Sequence, residues 1–251
     1  EPVQSFACRL DGGPQASCTS PRSYAGLSDG PHVFEVAATD QAGNADATPA
    51  SRSWTVERTV FSDNFETGGF TAGGWSVNTG GAGTAAVVAG QGTGGGYGAR
   101  LTSTTATQSF TYITKTLAAA QADLTVTAAY RVTGEGASGK NTSLLKLYNT
   151  SGTRVLTLQR DNVTGLLRVD HSGATVSTGR SLALNTTATM SVRVVTGPAG
   201  TGRVGITVDG VLVYETTSAS LGTANASRLR LGNDAKRVAF AFVVDDVRAT
   251  I

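Results

Sequence analysis

Charge is scarce in this sequence: acidic and basic residues together make up 15% of its 251 positions. Globular chains usually carry about a quarter, and this deficit excludes a coiled coil and a charge-driven disordered chain. Aromatic residues are 6%, methionine occurs once, and histidine and cysteine twice each. No apolar run approaches the roughly 18 residues of a membrane span, so no membrane insertion is expected. No block of Lys and Arg is interleaved with aromatics, so nucleic acid is not an expected partner. No Gly-x-Ser-x-Gly nucleophile turn occurs, and the two histidines, His32 and His171, fall in different halves of the chain. A Ser-His-Asp set would therefore rest on His171 alone.

What is abundant is small: 32 Gly, with much Thr, Ser and Ala. Gly has no three-residue period, so the chain is not collagen-like; the composition suits short strands joined by tight turns. Cys8 and Cys18 flank Asp11-Gly12-Gly13, a strong hairpin signal. Cysteines on facing strands meet disulfide geometry, whereas this spacing excludes a CxxC zinc or redox motif. A Cys8–Cys18 disulfide implies an oxidising, extracellular or cell-surface location. No signal peptide is present and the chain does not start with Met, as expected for a mature piece of something longer. Five glycosylation sequons begin at Asn141, Asn149, Asn162, Asn185 and Asn225. The net charge of +2 hides an asymmetry. Residues 1–57 hold three basic against seven acidic residues, and residues 58–251 hold 17 against 11.

Residues 5–10, 31–39 and 53–56 alternate in polarity, with Asp40-Gln-Ala-Gly-Asn44 a turn between the last two, the pattern of a small sandwich. Metal-like spacing of acids in Asp40–Asp46 reads better as an Asx-rich turn. The run Phe6-Ala-Cys8-Arg-Leu-Asp-Gly12, Cys18-Thr-Ser-Pro21, Tyr24, Leu27, Gly30-Pro-His32, Asp40-Gln-Ala-Gly-Asn44 and Trp54-Thr-Val56 resembles a bacterial immunoglobulin-like repeat of secreted and surface proteins. The resemblance implies about two further strands before Phe6. Either they were cut away, or a neighbouring copy donates a strand to an open edge.

From residue 58 the alternation continues to the end. Leu124, Val126, Ala128, Tyr130 and Val132 share one face, and similar runs are 190–194, 204–208, 229–231 and 240–244. Asp209-Gly210 reads as a type I′ hairpin turn. Leu117–Ala122 is the one stretch that reads as a possible helical turn. Roughly fourteen short strands need two sheets packed face to face. The expected fold is all-β: a partial Ig-like domain over 1–57 and a two-sheet antiparallel jelly roll over 58–251. Asp63-Asn-Phe-Glu66, Tyr97-Gly-Ala-Arg-Leu101, Ser143-Leu-Leu-Lys-Leu-Tyr148, Gly165-Leu-Leu-Arg-Val169, Val208-Asp-Gly-Val211 and Val244-Asp-Asp-Val247 together resemble the concanavalin A-like (laminin G-like) jelly rolls. That resemblance implies carbohydrate or surface recognition, sometimes with bound calcium, and some relatives are glycan hydrolases.

The candidate metal set is Asp63 and Glu66 with Asp245 and Asp246. First and last strands of such sandwiches usually pair, and Asp246 continues the core phase of Phe240, Phe242 and Val244. A carboxylate aimed into a core needs a structural Ca²⁺, an Arg or backbone N–H groups. For glycan stacking the candidate rings are Tyr148, Tyr97, Trp75 and His171. Gly90–Gly95 and Gly134–Lys140 imitate phosphate-binding loops but precede no helix, so both read as loops. A glycosidase would present two carboxylates on one strand face. No Glu-x-Asp-x-Glu run exists, and Glu66, Glu135 and Glu215 lie far apart. The expectation is therefore a non-enzymatic module that binds a carbohydrate or cell-surface polymer, with weak single-site affinity raised by repetition. Two alternatives remain: a subunit of a surface filament joined by strand donation, and an accessory module of a polysaccharide-degrading enzyme.

Overall fold

A computed structural model describes residues 3–136 and 140–251, so the loop singled out at Gly134–Lys140 lies partly outside the described residues. The chain divides into two compact units, Glu1–Arg58 and Thr59–Ile251.

Unit 1 is one antiparallel sheet of β1 (Val3–Leu10), β2 (Ala16–Cys18), β3 (Gly30–Asp40) and β4 (Ala50–Val56), in the order β2-β1-β3-β4. The turn after β1 has φ of 53° at Asp11 and 68° at Gly12, and the Gly13 amide donates to the Leu10 carbonyl at 2.9 Å. Positive φ at both central residues makes a primed turn, whose twist suits a hairpin. This turn brings Cys8 opposite Ala16 and closes the Cys8–Cys18 disulfide, with Cα atoms 5.8 Å apart. Among the described residues of unit 1 there is no second sheet over the apolar side. The segment between β2 and β3 covers it in part: the Tyr24 ring meets Phe34 edge-on at 6.0 Å, and Arg22 lies over Tyr24. Phe6 stays 45% exposed.

His32 pins that segment. It is buried, with Nδ1 2.7 Å from Asp11 Oδ2 and Nε2 2.8 Å from the Ser28 carbonyl. Both partners can only accept, so the ring serves best as a doubly donating imidazolium. The hydrogen bond to Asp11, then that to Ser28, holds its pKa above the usual value.

Unit 2 is two facing antiparallel sheets. The first holds β5 (Thr59–Asp63), β7 (Thr84–Val88), β8 (Gly98–Ser103), β10 (Asp123–Glu135), β15 (Thr187–Val195), β16 (Gly202–Val208), β17 (Val211–Ala219) and β19 (Phe240–Thr250). Its order is β17-β16-β15-β10-β19-β8-β7, with β5 also paired to β19. The second runs β14 (Ala174–Ser181), β13 (Leu166–His171), β12 (Arg154–Asp161), β11 (Asn141–Asn149), β18 (Ala226–Asn233), β9 (Phe110–Gln121) and β6 (Ser76–Gly80). The core forms where inward residues of β10, β15 and β19, such as Leu124, Val126, Val192 and Phe242, meet Leu145, Leu147, Leu156, Leu158, Leu229 and Leu231. The all-β, jelly-roll expectation holds. At Asp209-Gly210 both φ are positive, 52° and 77°, as a type I′ turn requires.

Two local expectations fail. Leu117–Ala122 is not helical: β9 runs through Gln121, held by pairing of Lys115 with Leu229 and of Gln121 with Ala226. Asp246 does not continue the core phase. It has φ of 49°, and the ladder between β10 and β19 slips there, so Asp246 is exposed and the core phase resumes at Val247 and Ala249. One bulged residue re-aims every side chain after it.

His171 gives unit 2 a pH dependence opposite in sign to that of His32. It is buried against the facing sheet, with Nε2 2.6 Å from the Tyr214 hydroxyl, and burial pushes its pKa down. A depressed histidine adds stability that is complete above its unfolded pKa of about 6.5 and lost as the pH falls from there. The raised His32 adds stability that is complete below about 6.5 and lost as the pH rises through its folded pKa. Between about pH 7 and 5, above the range in which the depressed carboxyls of Asp11, Glu35, Asp46, Asp161 and Asp234 begin to cost stability, melting followed separately at Trp54 and Trp75 should show unit 2 weakening on acidification while unit 1 does not. His171→Gln should flatten this limb of unit 2; an unchanged slope over the same window would refute the assignment.

Candidate functional site

The outward face of the seven-stranded sheet is built by alternation. Core leucines at 145, 147, 229 and 231 leave Lys146, Tyr148, Arg228 and Arg230 pointing the other way. Pairing aligns them in rows. Lys146 stands beside Arg230 on one side and Thr157 on the other, and Thr157 in turn faces Asp170. Tyr148 stands beside Arg228 and Arg154. Gln159 pairs with Arg168 one row along.

The centre of this face is cationic and aromatic. The Arg228 and Arg230 guanidiniums both lie 4.8 Å from the Tyr148 ring centroid, and Arg230 lies 4.1 Å from that of Tyr112. Lys146 and Arg230 each donate to the carboxylate of Asp234, one to each oxygen. Arg154 donates to Asp170 at 2.8 Å and Arg168 to Asp161 at 3.1 Å. Five cations thus share the face with three carboxylates. Several donors have no protein partner although they are shielded from bulk water: Nε of Arg168, Arg228 and Arg230, and the hydroxyl of Thr157. Buried donors normally find partners, so such a cluster marks a place where something else can supply acceptors.

Burial pushes the Tyr148 phenol above its usual pKa, against the opposing pull of Arg230 and Arg228. Burial also works against the charge on Asp234, but the hydrogen bond from Lys146 and the charges of Lys146 and Arg230 outweigh it and hold the carboxyl below the usual range. Asp161 falls to about 2, chiefly through the amides of Thr164 and Val163. The face therefore pairs an un-ionised phenol with permanent cations, a set able to hold an anion and move a proton.

The four sequence-selected rings are not brought together. Tyr148 lies in this face but is only 9% exposed, covered by its arginines rather than open for sugar stacking. Trp75 lies in the core, stacked on Phe65, with its indole N–H donating to Asp63 Oδ2 at 2.7 Å. It cannot meet a sugar there. His171 faces Tyr214 of the other sheet. Tyr97 is 36% exposed and packs near Gly68.

The acids selected for a metal separate into two places. Asp63 accepts from the Phe65 amide and from Trp75, and with the exposed Asp246 it lines an open depression of about 510 Å³. Glu66 and Asp245 instead fasten the 92–97 loop, accepting from the amides of Tyr97 and Thr93 at 2.8 and 2.7 Å. Among the described residues, no group of three or more His, Cys, Asp or Glu is placed to hold a metal ion.

No protein-family model matches the chain, and no curated protein matches it. Solved structures do. An endo-β-1,4-glucuronan lyase from the fungus Trichoderma reesei aligns with a TM-score of 0.59 at 13% identity, over 70% of this chain and 90% of its own. Cellulose induced protein Cip1 aligns with a TM-score of 0.60 at 13% identity, over 75% and 96%. A carbohydrate esterase from the Shiga toxin-encoding bacteriophage phi24B aligns with a TM-score of 0.59 at 19% identity, over 78% and 99%. At such identities the likeness is one of fold. It nonetheless overturns the expectation that the chain is not an enzyme, because proteins sharing this fold over nearly their whole length are named as a lyase and an esterase. The sequence lacks a glycosidase carboxylate run and a Gly-x-Ser-x-Gly nucleophile turn. Elimination chemistry needs neither; it needs a proton carrier and a cation beside a carboxylate.

Proposed function

We propose that the outward face of the seven-stranded sheet binds an acidic polysaccharide and cleaves it by β-elimination. One observation carries the reading: the Tyr148 phenol stands between Arg228 and Arg230, beside Lys146, among guanidinium donors without protein partners. The name of the glucuronan lyase supports it, since glucuronan is a polymer of a carboxylate sugar. The disulfide supports a secreted protein, where such polymers are met.

In a uronate the hydrogen on C5 is adjacent to the carboxylate. Guanidinium groups on that carboxylate stabilise the negative charge that develops as the proton leaves. Tyr148, as phenolate, takes the C5 proton. The electron pair forms the C4=C5 double bond, the C4–O4 bond breaks, and the phenol returns the proton to O4. No water, oxidant or second nucleophile is consumed.

The test is direct. Incubation with polyglucuronate, alginate and a neutral glucan should produce the ultraviolet absorbance of an unsaturated uronate from an acidic polymer only. Cleavage of the glucan, or acidic products without the double bond, refutes the reading. A pH profile follows from Tyr148. Its raised pKa leaves little phenolate at neutrality, and the phenolate is the working base. Log kcat/KM should therefore climb by about one unit per pH unit on the alkaline side of neutrality. A falling profile there would assign Tyr148 as an acid alone.

A further inference from the structure

We infer that Asp234 is an internal stand-in for the substrate carboxylate: it occupies the Lys146–Arg230 cation pair in the free protein and gives way when a uronate binds. The inference rests on the acidic-polysaccharide reading above and names how that same site reads charge.

Lys146 and Arg230 are sheet residues whose side chains are 9% and 15% exposed. Cations this enclosed are costly without a counter-charge. Among the described residues, Asp234 is the carboxylate that both are paired with. The Arg230 guanidinium is fixed by stacking on Tyr112 and Tyr148. Only its edge is left to meet an acceptor, and an edge is what a planar carboxylate engages. Nε of that guanidinium has no protein partner.

Asp234 differs from the cations in how it is held. It follows the last residue of β18 and lies in the connection to β19, outside both strands. A third of its side chain is exposed. It can swing outward without breaking a strand ladder, whereas Lys146 and Arg230 cannot. A sugar carboxylate entering the pair would replace one planar anion by another and leave the cations matched throughout. A neutral sugar offers no such exchange. Asp234 would thus impose a threshold that rejects neutral glycans and releases the site to uronates.

The experiment is Asp234→Asn, which keeps shape and removes charge. Oligoglucuronate binding by calorimetry should tighten about tenfold, with neutral cello-oligosaccharide binding unchanged. In thermal melts the variant should lose stability that free glucuronate restores and glucose does not, while the wild-type protein responds to neither. Where the wild-type protein binds oligoglucuronate, equal or weaker binding by the variant overturns the inference, and so does the absence of rescue by glucuronate. In wild-type protein the carboxyl ¹³C resonance of Asp234 should shift on titration with oligoglucuronate; a fixed resonance under saturation also overturns it, even where the variant fails to fold. If neither protein binds the polymer, the polysaccharide reading falls, and glucuronate rescue of the variant still decides the role of Asp234.

Discussion

Tyr148→Phe is expected to lower kcat on an acidic polysaccharide by about 10²- to 10⁴-fold, the usual worth of a positioned proton carrier. The ring is kept, so Arg228 and Arg230 retain the surface they stack on, at 4.8 Å in both cases. Only the hydroxyl is lost. KM should move little, and the melting temperature should hold within a few degrees, because no hydrogen bond to that hydroxyl is broken among the described residues. Arg228→Ala provides the contrast. It removes a cation from the carboxylate subsite, so it should raise KM and lower kcat together, with a shallower dependence of binding on salt. If Tyr148→Phe cleaves at the wild-type rate, β-elimination through this phenol is wrong even where the polymer binds.

The architecture of unit 2 was legible because strands obey a period of two. The runs at 124–132, 190–194 and 204–208 announce their buried faces, and Asp209-Gly210 announces its turn. What alternation could not show was its own interruption. Nothing local in Val244-Asp-Asp-Val247 reveals that the ladder slips there and turns Asp246 outward; that depends on how β10 pairs across it. The Leu117–Ala122 stretch misleads for the same reason: helix-compatible residues, read alone, against a partner strand that takes them.

The candidate site was half legible. Leu145 and Leu147 of β11, Leu167 and Val169 of β13, and Leu229 and Leu231 of β18 alternate with cations in the sequence, so Lys146, Arg168, Arg228 and Arg230 fall out of phase with the core; Leu144, equally buried, breaks that alternation where the ladder slips between Ser143 and Leu145. Four basic residues on the outward phase of three strands are a signal for an anion-binding face. The excess of basic residues over 58–251 allows a face for anionic glycans, but composition does not say which strands carry it. Tyr148 was selected, but for stacking, a role its burial between arginines denies it. Which strands are neighbours decides the rest, since β18 lies some 80 residues from β11 in sequence and beside it in the sheet.

Reduction of the Cys8–Cys18 bond is expected to unfold unit 1 and leave unit 2 intact. Unit 1 has little else to hold it. Of its described residues, Cys8, Ala37 and His32 are the buried ones, and its apolar face is only partly covered. A core of this size supplies a few kcal/mol at most. The bridge spans a sequence separation of 10 residues, and closing such a loop is worth about 3 kcal/mol in the unfolded chain. That is most of what a module this small has to lose. Unit 2 holds no cysteine, and its core runs across both sheets from Phe65 to Ala249. Each unit carries one tryptophan, Trp54 and Trp75, so fluorescence reports on them separately once Trp75→Phe or Trp54→Phe isolates the signal. With Trp75 replaced, a thiol reductant should shift Trp54 emission to that of a solvated indole and remove its melting transition. With Trp54 replaced, the same reductant should leave the Trp75 transition where it was. The Cys8→Ser, Cys18→Ser double variant should behave as the reduced protein does. A Trp54 transition that survives reduction would show that the Tyr24 segment and the His32 clamp suffice without the covalent bond.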